Sequence, residues 1–147
     1  YVFVMGRTDD VINVAGHRLS TGEMEELIGG HDAVAECAVV GIEDELKGQV
    51  PAGFVVLKDG YEIKNDALVP ELVQIIRSKI GAIANFKKAT IVNRLPKTRS
   101  GKILRKNIRD LADQGETRIP STIDDPAILN EIKEILKQRK IGVAFQN

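Results

Sequence analysis

Apolar positions along this chain fall into short continuous runs and longer runs with helical spacing. Residues 2–5 (Val-Phe-Val-Met) and 11–15 (Val-Ile-Asn-Val-Ala) have strand character and flank Gly6-Arg-Thr-Asp-Asp10, a turn or hinge composition. They predict a two-stranded β-ribbon. Ser20-Thr-Gly-Glu23 is a capping box, in which the serine hydroxyl accepts from the backbone N–H of Glu23 and the glutamate reaches back to the cap. The helix it opens should run to about Ile28 and stop at Gly29-Gly30. Runs over 34–42 and 50–58, joined by Glu43-Asp-Glu-Leu-Lys-Gly48, predict two buried strands. Leu68, Val69, Leu72, Ile76 and Ile80 recur at helical spacing between Asp66, a candidate cap, and Gly81, a natural stop. Residues 88–93 read as a third strand of the main sheet. Ile103, Leu104, Ile108, Leu111 and Ala112 then predict an amphipathic helix closed near Gly115. A polar connector over 116–125 leads to Pro126 and a last helix with Ile128, Leu129, Ile132, Ile135 and Leu136 on one side. The sum is an α+β fold: a small domain with a short mixed β-sheet packed against helices, preceded by the ribbon.

Composition narrows the class. A chain of 147 residues supports one domain with a real core, burying roughly 70% of its unfolded surface. A single domain over 1–147 is expected, with 116–147 as a tail segment and last helix. Lys and Arg together number 21, as do Asp and Glu, so no global field draws in nucleic acid or an anionic membrane. The single cysteine, Cys37, sits in the apolar run Ala35-Glu-Cys-Ala-Val-Val40, which suits a buried thiol in a reducing compartment. No apolar segment approaches the ~20 residues of a membrane-spanning helix. The chain begins Tyr-Val-Phe-Val-Met with neither initiator nor leader, and reads as cut from the middle of a longer polypeptide.

The chemistry concentrates in Pro96-Lys-Thr-Arg-Ser-Gly-Lys102, where Lys97, Arg99 and Lys102 alternate with two hydroxyls and a glycine between a predicted strand and a predicted helix. A phosphate-cradling P-loop is excluded, because Pro96 and Ile103 occupy the positions of its first glycine and its Ser or Thr. With only His17 and His31, one cysteine and no His-Glu-x-x-His helix, a zinc site is disfavoured, and no metal ligand is assigned. There is no Gly-x-Ser-x-Gly elbow. The basic cluster Lys97, Arg99, Lys102, Arg105, Lys106 and Arg109 suggests a nucleic-acid edge, but stacking aromatics are scarce and net charge is zero.

Two separated stretches carry a resemblance. Gly6-Arg-Thr-Asp-Asp-Val-Ile-Asn-Val-Ala-Gly-His-Arg-Leu-Ser-Thr-Gly-Glu-Met-Glu25, followed by Pro96-Lys-Thr-Arg-Ser-Gly-Lys102, closely resembles the mobile C-terminal domain of adenylate-forming acyl-CoA synthetases. The resemblance covers nearly the whole chain. Through Pro120-Ser-Thr-Ile-Asp-Asp-Pro126 it extends to the acetyl- and propionyl-CoA synthetase branch, propionyl most closely. It implies an AMP-forming acid–thiol ligase whose large N-terminal ATP- and acyl-binding domain is absent from this chain, so that the fragment alone is inactive. The implied reaction has two halves. A carboxylate attacks the α-phosphorus of ATP, giving acyl-AMP and pyrophosphate; the small domain then rotates, and the CoA thiol displaces AMP. ATP, CoA and a short-chain carboxylate are the implied substrates, with Mg2+ accompanying ATP and bound mainly elsewhere. The implied compartment is the cytoplasm, or the mitochondrial matrix in a eukaryote.

The resemblance also assigns residues. Lys102 matches the adenylation lysine; attack of one anion on another needs a cation where negative charge accumulates, and Gly101 lets the loop approach. The alternative is a solvated basic turn. Asp9 matches the hinge, with Asp10 an equally ordinary turn residue. Arg7 and Arg18 match arginines that meet nucleotide phosphate or ribose, against an ion pair of Arg18 with Glu23 or Glu25. Ala15 and Gly16 match a loop along the pantetheine tunnel, and Arg77 an arginine on the CoA nucleotide, against a solvated helix face. Ser20 and Glu23 are better explained by capping. Met24 replaces the frequent isoleucine at nearly conserved volume. Acetylation of Lys102 would remove its charge, making an acetyltransferase and a deacetylase candidate partners. A carrier-protein thiol is the alternative acceptor.

Overall fold

The computed structural model describes residues 11–146. The expected strand over 2–5, the turn through Asp10, and the candidate residues Arg7 and Asp9 lie outside the described residues.

Among the described residues five strands form one sheet. β1 (Val11–Val14) pairs antiparallel with β2 (His17–Ser20), with Val14 opposite His17. The ribbon among the described residues is therefore this hairpin, whose second strand the apolar pattern did not announce: His17-Arg-Leu-Ser20 is exposed or half-buried throughout and shows no alternation. β3 (Val34–Asp44) and β4 (Gly48–Leu57) form a long antiparallel pair, and β5 (Lys88–Ile91) runs parallel to β4, Ala52 facing Lys88 and Val55 facing Ile91. β1 joins the same side of β4 at its start, Val14 opposite Gly48. The sheet is thus mixed, with β4 central and β3 at one edge.

Both faces are covered, which explains the continuous apolar runs. α1 (Thr21–Gly29) and α2 (Asn65–Lys79) bury Met24, Ile28, Leu68, Leu72 and Ile76 against Val39, Val55 and Phe86. α3 (Arg105–Gln114) and α4 (Ala127–Arg139) bury Ile108, Leu111, Ile132 and Leu136 against Val40, Ile42, Ala52 and Phe54 on the opposite face. The ribbon crosses close to the sheet because position 41 is glycine: a Cβ there would lie 2.3 Å from Cγ2 of Ile12.

Helix starts were only partly foreseen. Ser20 caps α1 as expected, its hydroxyl accepting from Glu23 N at 3.1 Å. Lys64, not Asp66, stands at the N-cap of α2; Asp66 lies within the first turn, where it complements the positive end of the helix dipole. The neighbouring Asn65 instead accepts from Ile91 N at 2.9 Å and ties α2 to β5. Ile103 and Leu104 precede α3, because residues 96–104 turn back on themselves.

The edge strand β3 is protected by its neighbours. The Val39 N–H donates to Glu25 Oε2 and the Glu43 N–H to Asp113 Oδ1, each at 2.8 Å. Carboxylates from α1 and α3 thereby cap outward-facing donors that would otherwise invite another strand. Burial first, against the opposing hydrogen bond from Glu43, raises the Asp113 carboxyl above its ordinary value.

Candidate functional site

The segment holding Lys102 is a tight hairpin. Leu104 N donates to Pro96 O, Thr98 N to Lys102 O and Gly101 N to Thr98 O, at 2.8, 2.8 and 2.9 Å. Gly101 has φ +94°, the left-handed residue that closes a three-residue loop of this kind. Thr98 Oγ1 lies 2.9 Å from Ser100 Oγ and accepts from Lys102 N at 3.1 Å, so the hydroxyls of the motif order the loop. Ile103 pairs with Lys97 across the hairpin and is packed against the α3/α4 core, which fixes the next residue back, Lys102, at the exposed tip.

Charge around the hairpin is partly neutralised. Lys97 Nζ reaches Glu36 at 2.8 Å, Lys106 reaches Asp110 at 3.2 Å, and Arg99 donates to the Ser121 carbonyl at 3.2 Å. Arg105 forms a two-pronged contact with Glu25 at 2.8 and 2.7 Å. Lys102 has no ion-pair or side-chain hydrogen-bond partner among the described residues, and its ammonium is presented to solvent.

A second group lies at the other end of the sheet. Ala15 and Gly16 form the two-residue loop of the β1–β2 hairpin, with φ +51° and +88°. Both positive angles are required by a type I′ turn, which usually takes Asn-Gly; alanine here accepts strain in exchange for a small, exposed apex. Ala15 N donates to Lys47 O at 2.8 Å, which seats the turn beside the β3–β4 connection. Lys97, by contrast, meets Glu36 near the start of β3. From Glu36 to Asp44 along β3 is roughly 26 Å at ~3.3 Å per residue. Lys102 and the Ala15–Gly16 turn are therefore displayed at opposite ends of the sheet.

Arg77 belongs with the latter end. It is exposed near the C-terminus of α2 and lines a cleft of about 150 Å³ with Ile76, Gly81, Asn85, Phe86 and Lys87. Phe86 packs under Gly53, where a Cβ would approach the ring to 2.9 Å. Lys87 and Asn85 (φ +52°) were not singled out from the sequence; only folding the 80–87 turn onto α2 brings them beside Arg77. Arg18 is exposed on β2 opposite Asn13, and the Glu25 carboxylate faces Arg105.

Cys37 lies apart from both groups. Burial first, then the Glu25 carboxylate, pushes its thiol up to about 12 from an ordinary 9.0. That is a structural thiol, not a nucleophile. Among the described residues no group of three or more His, Cys, Asp or Glu side chains could hold a metal ion, and no helix is long and apolar enough to cross a membrane.

An exposed lysine at the tip of a glycine-closed hairpin, on a two-faced α+β domain, defines a class. The AMP-binding enzyme C-terminal domain family matches residues 23–102, and the chain belongs to that family. It is 50% identical over 142 residues to an acyl-CoA synthetase short-chain family member B, mitochondrial, of Dictyostelium discoideum, covering 97% of this chain and 21% of that protein. It is 46% identical to a propionate–CoA ligase of Escherichia coli, covering 94% of this chain and 23% of that one. The crystal structure of a Brucella canis acyl-CoA synthetase superposes with a TM-score of 0.65 at 37% identity, over 71% of this chain and 19% of the other. The chain thus spans about a fifth of the length of these relatives.

Proposed function

We propose that this chain is the small, mobile domain of an AMP-forming acyl-CoA synthetase acting on a short-chain carboxylate, propionate or acetate. Lys102 supplies positive charge between the attacking carboxylate and the α-phosphate during adenylation. After rotation about Asp9, the Ala15–Gly16 turn and Arg77 face CoA, with Arg7 and Arg18 on the nucleotide. The observation that supports this reading is Lys102 itself, exposed on an ordered hairpin and without an ion-pair or side-chain hydrogen-bond partner among the described residues, while Lys97 is paired with Glu36 and Arg99 is held by the Ser121 carbonyl. Its separation from the Ala15–Gly16 turn by the length of β3 gives a rotating domain two distinct surfaces to present. Mg2+ accompanies ATP and is held mainly outside this chain. Acetylation of Lys102 by an acetyltransferase, reversed by a deacetylase, would switch off the first half-reaction. A cytoplasmic or mitochondrial-matrix location goes with these substrates.

The test uses the full-length enzyme. Lys102→Ala should reduce pyrophosphate release from propionate and ATP by ~10²–10³-fold, the effect of removing one transition-state charge contact. Thioester formation from preformed acyl-AMP and CoA should persist. Unchanged pyrophosphate release would reduce the motif to a basic loop. If the acceptor is instead a carrier-protein thiol, Arg77→Ala leaves CoA affinity unchanged.

A further inference from the structure

We infer that the segment 120–131, which lies beyond the residues matched by the family, is a clamp that positions the Lys102 hairpin for adenylation. This rests on the role proposed for Lys102. A two-stranded hairpin is marginal by itself. Here the tail adds a bridging segment: Thr98 forms an antiparallel β-bridge with Ile123, Arg99 N donates to Thr122 O at 3.0 Å, and Asp124 N donates to Lys97 O at 2.9 Å. These bonds grip residues 97–99, the arm leading directly into the loop that carries Lys102. The Ile123 side chain is 4% exposed and enters the α3/α4 core, so the bridging segment is anchored in the domain interior.

A second attachment holds the arm from below. Arg94 donates to Asp125 Oδ2 at 2.8 Å and to both oxygens of Glu131 at 3.2 and 2.6 Å, joining residues before the hairpin to the start of α4. Arg94, Asp125 and Glu131 bond to one another and not to the Lys102 side chain. They are positioning residues, acting through the backbone of the arm. The adenylation cation is thereby fixed to α4, and through it to the chain's C-terminal core.

The experiment compares Ile123→Ala with Ile141→Ala in the full-length enzyme. Ile141 has the same type, the same 4% exposure and the same core, but no part in the ladder. Both half-reactions are measured and normalised to folded protein. Ile123→Ala should lower adenylation by up to ~10²-fold, the sensitivity to a misplacement of about 1 Å, with thioester formation retained; Ile123→Val should restore adenylation, and Ile141→Ala should lower neither half selectively. If both alanine variants give the same ratio of half-reactions, the clamp is refuted. Should Ile123→Ala fail to fold, Arg94→Ala decides: a selective adenylation loss supports the clamp, and an unchanged ratio overturns it. Lys102→Ala runs alongside; if it leaves adenylation intact the proposed function fails, whereas its loss with intact tail variants sinks the clamp alone.

Discussion

Replacing Glu25 with alanine should destabilise the domain by about 3 kcal/mol, an unusual cost for a charged residue on a short helix. The carboxylate reaches around the edge of the sheet from α1 to α3. Its oxygens accept from Arg105 Nε and Nη2 at 2.8 and 2.7 Å, and Oε2 also accepts from Val39 N at 2.8 Å. Both side chains are 14% exposed. Removing one partner of a buried pair costs about 3–5 kcal/mol, because the remaining charge is left uncompensated. The orphaned Val39 N–H adds about 1–3 kcal/mol where water cannot replace its acceptor. Residual exposure lets water reach Arg105, so the lower figure applies. At roughly 2–4 °C per kcal/mol for a chain of this size, Tm should fall by about 6–12 °C in calorimetry. Glu25→Leu with Arg105→Met should recover the part due to the uncompensated Arg105 charge, since an apolar pair needs no desolvation, but not the part due to the orphaned Val39 N–H. Loss of the Val39 acceptor also opens the β3 edge, so Glu25→Ala should self-associate more readily in sedimentation. A destabilisation below about 1 kcal/mol, the range of exposed pairs, would refute the buried-pair reasoning.

Three further outcomes follow from the same structure. The hydrogen bond from Ala127 N, then Arg94, lowers the Asp125 carboxyl below 3.8, and Arg94 lowers Glu131 below 4.5. Depressed carboxylates contribute stability above their unfolded pKa and lose it as pH falls through the folded one. The stability margin of the wild type over Arg94→Ala should therefore be full at about pH 6 and shrink below about pH 4; a margin independent of pH in chemical denaturation would contradict the ion-pair assignment. Cys37, with its thiol raised to about 12, should resist alkylation in the native state at pH 8 and react promptly when unfolded, so fast native labelling would show the burial to be wrong. Gly101→Ala meets no atom within 4 Å but must hold φ +94°, a strain of about 1–2 kcal/mol, and amide exchange at Thr98 and Lys102 should quicken without wholesale loss of fold.

The main layers were legible because burial leaves a periodic trace. Continuous runs over 34–42 and 50–58 announced strands covered on both faces, and Ser20 announced the start of α1. β2 left no trace, since a strand exposed along its length has no apolar alternation to read. Ile103 and Leu104 carried helical spacing yet lie in the hairpin, because core packing asks only that an apolar side chain point inward. Ile123, inside a polar connector, looked incidental and is a core residue.

The candidate site was legible as a motif and illegible as an electrostatic arrangement. Six cations cluster from Lys97 to Arg109 in sequence, and nothing in their spacing says which are neutralised. Glu36, Glu25 and Asp110 make that selection, the first two from elements about 60 and 80 positions away. Likewise, Arg77 resembled one more solvated helix residue until the 80–87 turn set Lys87 and Asn85 beside it. Arg7 and Asp9 lie outside the described residues, and their roles stand as proposals.

Under the proposed function, opposite ends of one sheet would serve different half-reactions. In the full-length enzyme, pyrophosphate release from propionate and ATP should be measured beside CoA-dependent consumption of preformed acyl-AMP, for Lys102→Ala and Arg77→Ala in parallel. The expected result is crossed, with adenylation lost only in the first variant and CoA affinity weakened only in the second. Parallel losses in both half-reactions for both variants would contradict it.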